Sequence, residues 1–337
     1  MILSRHLLAL TILMLALWYV PAASATTTCN ATMSGWTFVV NSAGNTDVQS
    51  SVSYTCNTST RISWRDRATV KMCLAIGPGS VPASTIGNRL LANSYNENLQ
   101  FQIYRDAART QVLGNSAANP AYLEVTVEYP LQGSVFGLGA SGSTTGNIPI
   151  YARIPAQSGI AAGTYTSTFG NTTLRYRYRD LAYSQSDPVS CETAGEQGNP
   201  STFSFSTTAT VPNVCTIDTA GDMDFGSILA IQTGLIERTS TIRLTCTRRT
   251  AWQIGLSEGV NASGGSRRMA GPGGQFITYD LYRSAQWDRW GTALNNNTVA
   301  GTGDGTSQPV TVHGRILNQP LTRAGSYRDT ITVIVTY

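Results

Sequence analysis

The chain has 337 residues and is poor in the residue types on which most enzymes and nucleic-acid binders rely. Lysine occurs once, at Lys71, so 22 of the 23 basic residues are arginine, and the net charge is only +4. Arginines this scattered do not make the basic stripe of a nucleic-acid footprint. Histidine occurs twice, at His6 and His313, and His6 falls in an N-terminal leader. A multi-histidine metal site is thereby excluded, as is a Ser-His-Asp triad in the N-terminal half. Charged residues make up only 12% of the chain. After residue 25 no run of about 18 apolar residues occurs, which excludes a multi-span helical membrane protein.

What is present favours strands. Gly occurs 32 times, and Ser, Thr and Asn are abundant, a composition suited to short strands and many turns. The length accommodates two domains. Arg5 and His6 precede an apolar run, Leu7 to Val20, followed by Ala23-Ser24-Ala25, which has small residues at both signal-peptidase recognition places. Residues 1–25 are therefore expected to be a signal peptide cleaved before Thr26, which sends the chain into an oxidising compartment. Six cysteines there imply three disulfides. Cys29 and Cys56 are 27 apart, Cys215 and Cys246 are 31 apart, and the second cysteine of each pair closes a similar strand, Ser51–Cys56 and Thr241–Cys246. Pairing these leaves Cys73 with Cys191. No C-x-x-C spacing supports a metal site, and no cofactor is expected.

An internal repeat organises the chain. Ile148-Pro-Ile-Tyr-Ala-Arg153-Ile154 matches Val310-Thr-Val-His-Gly-Arg315-Ile316, and Gly163-Thr-Tyr165 matches Gly325-Ser-Tyr327, all at an offset of 162. A looser match joins Leu99–Arg105 to Ile277–Arg283, with Arg89 matched to Arg268 before it. Two copies of one domain are the simplest account. Period-2 alternation over Val48–Tyr54, Val70–Ile76, Leu99–Tyr104, Tyr122–Tyr129, Ile148–Ile154 and Tyr165–Leu174 predicts an all-β sandwich in each copy.

The copies differ after the matched tyrosines. Ten residues follow Tyr327, whereas 49 separate Tyr165 from Cys215. In that excess lies Phe203-Ser-Phe205-Ser-Thr207-Thr-Ala209-Thr-Val211, an alternating strand whose odd positions are apolar except at Thr207. The second sandwich is expected to lack the strand that the first possesses, and an uncovered edge of that kind needs a partner strand. The expected division is 26–212, including a completing strand at 203–211, and 213–337.

These features resemble the spore coat protein U domain, the subunit fold of archaic chaperone-usher pili. The residues that carry the resemblance are Cys215, Asp224-Phe225-Gly226, Cys246, Arg268-Met269, Tyr279-Asp-Leu-Tyr282, Trp290-Gly291 and the ending Gly325–Tyr337. It is good over 213–337. Over 26–200 insertions dilute it: the first copy has no Trp-Gly pair, and Ser167 stands where the second has Asp329. The resemblance implies two tandem immunoglobulin-like domains, the C-terminal one an incomplete pilin fold that accepts the donor strand of the adjacent subunit. It also implies a periplasmic chaperone, an outer-membrane usher and display at the cell surface. A two-domain subunit of this kind resembles a tip adhesin acting in attachment and biofilm formation. Only three residues, Thr26 to Thr28, precede Cys29 in the expected mature chain, too few to donate, so such a subunit would cap a fibre. In the accepting domain the expected site is the last strand, with Ile331, Val333 and Val335 on one face and Tyr337 carrying the terminal carboxylate to a basic site on the chaperone.

Strand parity sorts the loops of the first domain. It places 41–49, 77–98, 130–147 and 175–200 at the distal pole and 57–69, 105–120 and 155–163 at the linker pole. Two distal loops are Gly-rich and apolar, so Val81, Ile86, Val135, Phe136 and Leu138 are expected to contact an abiotic or host surface. The alternative is that Leu131, Val135 and Phe136 fold back to plug the sandwich end. Arg175-Tyr-Arg177-Tyr-Arg179 places three guanidinium groups on one strand face, either a solvated face or a site for anionic glycans or phosphates. Glu124 and Glu128 share a strand face, as a glycosidase pair would, but no other carboxylate is placed with them. The chain is read as a non-enzyme, with a structural pilin or self-contained coat-like protein as the alternative to an adhesin.

Overall fold

The computed structural model describes residues 26–40, 44–60, 66–118, 120–133, 139–179, 186–228, 234–320 and 323–337. The expected leader lies outside them. The chain is all-β and divides into two compact units, one of residues 26–38, 45–155 and 165–209, the other of 39–44, 156–164 and 210–337.

The first unit is a curled antiparallel sheet. Its strands are β1 (Thr26–Thr32), β2 (Trp36–Val39), β3 (Thr46–Thr60), β4 (Arg67–Ala75), β5 (Arg89–Ala92), β6 (Asn98–Tyr104), β7 (Leu123–Pro130), β8 (Gln132–Gly133), β9 (Ala140–Ile154), β10 (Gly163–Arg179), β11 (Glu196–Gln197) and β12 (Ser201–Val211). They follow the order β1-β3-β9-β6-β5-β10-β12-β2, with β4 between β10 and β7. Alternation drives the closure, since one face of each strand must leave water. In β12 the side chains of Phe205, Thr207, Ala209 and Val211 are buried while their neighbours point outward. Phe205 stacks on Phe169 of β10 at 4.8 Å and meets Trp36 of β2 edge-on at 5.5 Å, so β12 supplies part of the aromatic core.

The second unit packs two sheets face to face. Its strands are β13 (Cys215–Ala220), β14 (Ile236–Cys246), β15 (Ala251–Leu256), β16 (Arg267–Ala270), β17 (Phe276–Tyr282), β18 (Val299–Thr302), β19 (Ser307–Ile316) and β20 (Val333–Thr336). One sheet runs β13-β14-β19-β17-β16 and the other β18-β15-β20. Leu244, Ile254, Leu256 and Trp290 fill the space between them. The three disulfides are Cys29–Cys56, Cys73–Cys191 and Cys215–Cys246. The first and last join residues directly opposed in β1/β3 and β13/β14, one of them in each unit.

A buried arginine marks the repeat. Arg89 of β5 uses every guanidinium nitrogen: Nε donates to Gly77 O, Nη1 to Gln102 Oε1, and Nη2 to both Ile76 O and Leu113 O. Arg267 of β16 does the same with Ser257 O, Asp280 Oδ1, Leu256 O and Trp290 O. The expected match of Arg89 to Arg268 is thus one residue off. Arg268 instead lies on the ring of Phe276 at 4.1 Å and donates to Asn261 O. The missing Trp-Gly pair is also explained, because Leu113-Gly114 takes the place of Trp290-Gly291 in the same backbone pattern, Leu113 N donating to Ile103 O as Trp290 N donates to Leu281 O.

Two further expectations change. Strands β3, β9 and β10 run for 15, 15 and 17 residues, well beyond the short alternating cores read from the sequence. The parity of the loops also slips, because β4 and β5 both run antiparallel to β10 while β6 and β7 both run with it, so the chain reverses once, at 93–97, and not across 105–120. The pair Thr46↔Ile154 puts the entry to β3 at the same end as loop 155–163. The pairs Thr60↔Ala140 and Arg67↔Pro130 put the ends that bracket 61–66 beside those that bracket 131–139. The described ends of loops 41–49 and 57–69 therefore exchange poles, and the turn at 93–97, expected at the distal pole, lies at the end that holds loop 155–163.

Candidate functional site

The strand expected to accept a partner is β20. It pairs with β15 in the register Val333↔Leu256, Ile334↔Gly255, Val335↔Ile254 and Thr336↔Gln253. Ile331, Val333 and Val335 turn toward the core but are only partly covered, and Tyr337 is 56% exposed. Met223, Met269, Val310 and Tyr327 pack against the same core and are likewise half-covered. These apolar groups form a partly covered margin around the core of the second unit.

The repeat shows what is different here. Tyr165 and Tyr327 are matched residues, so β10 is the counterpart of β20. β10 is flanked by β4 and by β12. β20 is flanked by β15, and among the described residues no strand pairs with its other edge. Where β12 buries its inward side chains almost completely in the first unit, the second leaves the corresponding core partly open.

A polar clasp fixes the segment entering β20. Asp329 Oδ2 accepts from the Tyr279 hydroxyl at 2.8 Å, and its Oδ1 accepts from Asn261 N and Nδ2 at 3.2 and 3.0 Å. Burial first, and then the bond to Asp329, pushes the Tyr279 hydroxyl well above the usual phenol range. Ala270 and Arg328 exchange two backbone hydrogen bonds beside this clasp, and Gly259 turns with φ +87° against Asp329, where a Cβ would lie 2.0 Å from Oδ2.

The expected contact residues of the first unit separate. Val81 is 8% exposed and Ile86 is half-buried, so Val81 does not form a surface grip. The cause is local: Ser80 N donates to Ser167 Oγ and Thr168 N donates to Ser80 Oγ, docking this loop flat on β10, while Gln102 Nε2 and Arg89 Nη1 hold Ile86 O. Leu131 is 6% exposed and faces inward. Val135, Phe136 and Leu138 lie outside the described residues.

Glu124 and Glu128 are four residues apart on β7, about 13 Å along the strand, against the roughly 5–9.5 Å separating glycosidase carboxyls. Glu128 pairs with Arg67 at 3.1 Å, and Glu124 accepts from Cys191 N at 3.3 Å. The arginine face of β10 is not simply solvated: Arg175, Arg177 and Arg179 are half-buried under residues 186–200, with Tyr176 and Tyr178 in the core behind them. The polar, Gly- and Pro-containing sequence around residue 191 gave no sign of that cover beyond the cysteine itself.

A search of curated proteins finds no match to the chain. Among solved structures, it is similar to the CsuC–CsuE chaperone–tip adhesion subunit pre-assembly complex from archaic chaperone-usher Csu pili of Acinetobacter baumannii. That likeness has 18% identity and a TM-score of 0.50 and covers 91% of this chain and 100% of that one. It is also similar to the CupB6 tip adhesin from Pseudomonas aeruginosa, with 13% identity and a TM-score of 0.37, covering 93% and 95% of the two chains. The family model of the Spore Coat Protein U domain matches residues 16–172 and 201–334, covering both copies of the repeat. The chain belongs to the Spore Coat Protein U domain family.

Proposed function

We propose that this protein is a non-enzymatic adhesin at the tip of an archaic chaperone-usher pilus. One observation carries the reading: β10 has a strand on each side, and among the described residues its counterpart β20 has β15 alone. Strand β12 completes the first unit from within the same chain, and the free edge of β20 accepts the donor strand of the adjacent pilin. Ile331, Val333 and Val335 form the apolar side of that acceptor groove. β1 is already paired with β3 along its length, tied there by Cys29–Cys56, so this segment is not available for donation. A subunit that accepts and does not donate caps a fibre.

Before assembly the same edge is held by a periplasmic chaperone, and an outer-membrane usher passes the subunit to the cell surface. The first unit then carries the attachment function. Its contact loop is the Gly-rich segment with Val135, Phe136 and Leu138, bracketed by the paired ends of β3, β4, β7 and β9. Replacing these three residues with Ser should abolish attachment and biofilm formation without lowering the melting temperature.

The test of the fibre reading is thermal unfolding of the mature chain with and without a synthetic donor-strand peptide of alternating apolar sequence. The peptide should raise the transition of the second unit and leave that of the first unchanged. A second-unit transition that ignores both peptide and chaperone would support a self-contained coat-like protein instead.

A further inference from the structure

The arginine face of β10 is roofed by residues 186–200, and the roof is built rather than draped. The Cys73–Cys191 disulfide pins it to β4. Lys71 Nζ donates to Val189 O at 2.6 Å, Arg177 Nη1 donates to Gly195 O at 3.0 Å, and Gly198 N donates to Tyr176 O at 3.2 Å. β11 pairs with β10 in the register Arg177↔Gln197, so these two side chains leave the same face. Gly198 passes so close to Tyr176 that a Cβ would lie 1.9 Å from its ring.

Beneath the roof a cavity of about 200 Å³ remains, lined among others by Arg175, Arg177, Glu192, Gln197 and Pro200. Its donors outnumber its acceptors. Nε and Nη2 of Arg175 and Nε of Arg177 are shut off from solvent and donate to no acceptor among the described residues. Glu192 Oε1 stands 3.5 Å from Arg175 Nη2, close enough for attraction but without a hydrogen bond. Arg179 is already engaged by Asp187 at 2.9 Å. A guanidinium cannot shed its proton to escape this situation, and each buried donor left unmatched is destabilising. Arg175 is also held in place, its guanidinium 5.5 Å from the centre of the Tyr122 ring.

We propose that this cavity binds the carboxylate of an acidic sugar, one uronic-acid-type residue of a surface polysaccharide. Two guanidinium groups against one carboxylate leave a single positive charge to balance, which suits a monoanion; a phosphate dianion would place its second charge against Glu192. A planar carboxylate fits the fork of an arginine. Gln197 offers both a donor and an acceptor to ring hydroxyls, and Pro200 offers an apolar surface. The volume, below the roughly 300–1,000 Å³ of drug-sized pockets, admits one ring. The site lies within the first unit and does not depend on how the fibre is assembled.

Titration calorimetry of the mature chain with glucuronic acid tests this, with glucose and inorganic phosphate as comparators. Glucuronic acid should bind, Arg175→Gln and Arg177→Gln should each weaken it at least tenfold, and Glu192→Gln should tighten it several-fold by removing the competing carboxylate. Glucose should not bind. Absence of glucuronic acid binding, or phosphate binding equally well at the same residues, would overturn the assignment. If the arginine variants fail to fold, Glu192→Gln decides alone, since its side chain is 42% exposed and its loss leaves the roof intact; unchanged affinity in that variant would also overturn it.

Discussion

The hydroxyl of Tyr279 donates to Asp329 Oδ2 across 2.8 Å, joining β17 to the segment that leads into β20. In the first unit the matched positions hold Phe101 and Ser167, and Ser167 Oγ instead accepts from Ser80 N. The clasp is therefore a property of the unit with the open edge.

Because burial and Asp329 raise the Tyr279 hydroxyl, its stabilisation is complete below the ordinary phenol pKa near 10 and is lost as pH rises beyond that value, where the unfolded chain has already released the proton. Thermal unfolding between pH 8 and 11 should show the second-unit transition falling above about pH 10. Tyr279→Phe should be less stable at neutral pH and show a flatter alkaline limb. An unchanged limb in the variant would assign the loss to another group.

Arg89→Lys should cost the first unit about 2 kcal/mol or more, because three ammonium donors without a fork cannot serve Gly77 O, Ile76 O, Leu113 O and Gln102 together. Burial pushes the Arg89 guanidinium down to about 9, and its side-chain partner Gln102 carries no charge to offset that. Arg267→Lys should destabilise the second unit by a similar mechanism. Denaturant titration followed by tyrosine and tryptophan fluorescence reads both.

Gly79→Ala and Gly259→Ala should each cost more than about 1 kcal/mol, since both glycines have positive φ and a Cβ would lie 2.6 Å from Ser167 Oγ or 2.0 Å from Asp329 Oδ2. The larger effect is expected at Gly259, where Asp329 is held by three hydrogen bonds and cannot move aside. Melting temperatures of the two variants settle the order.

Cys191→Ser should destabilise the first unit by up to about 5 kcal/mol, the loop-closure value for a bridge spanning 118 residues. It should also free residues 186–200 for proteolysis at low protease concentration, with the parent cut more slowly there.

Much of this was legible in the residues. The cysteine spacing, the offset of 162 and the alternation of residues 203–211 all follow from chemistry that is local or strictly periodic. What escaped was non-local. β5 is four residues, Arg89-Leu-Leu-Ala92, with the arginine and both leucines buried, so it has no alternation to find, and reading 105–120 as a reversal, where β6 and β7 run the same way, exchanged two loops. Arg267 and Arg268 are adjacent and identical in type, and only burial says which one matches Arg89. Val81 sits among Gly, Pro and Ser that read as an exposed loop, yet two hydroxyl contacts dock that loop on β10.

Each cysteine of this protein is bonded to the next one along the chain: 29 to 56, 73 to 191, 215 to 246. A thiol oxidase that joins sulfurs in chain order would therefore reach the native pairing directly. No mixed or crossed bridge has to be broken along that route, which therefore needs no slow reshuffling step by an isomerase.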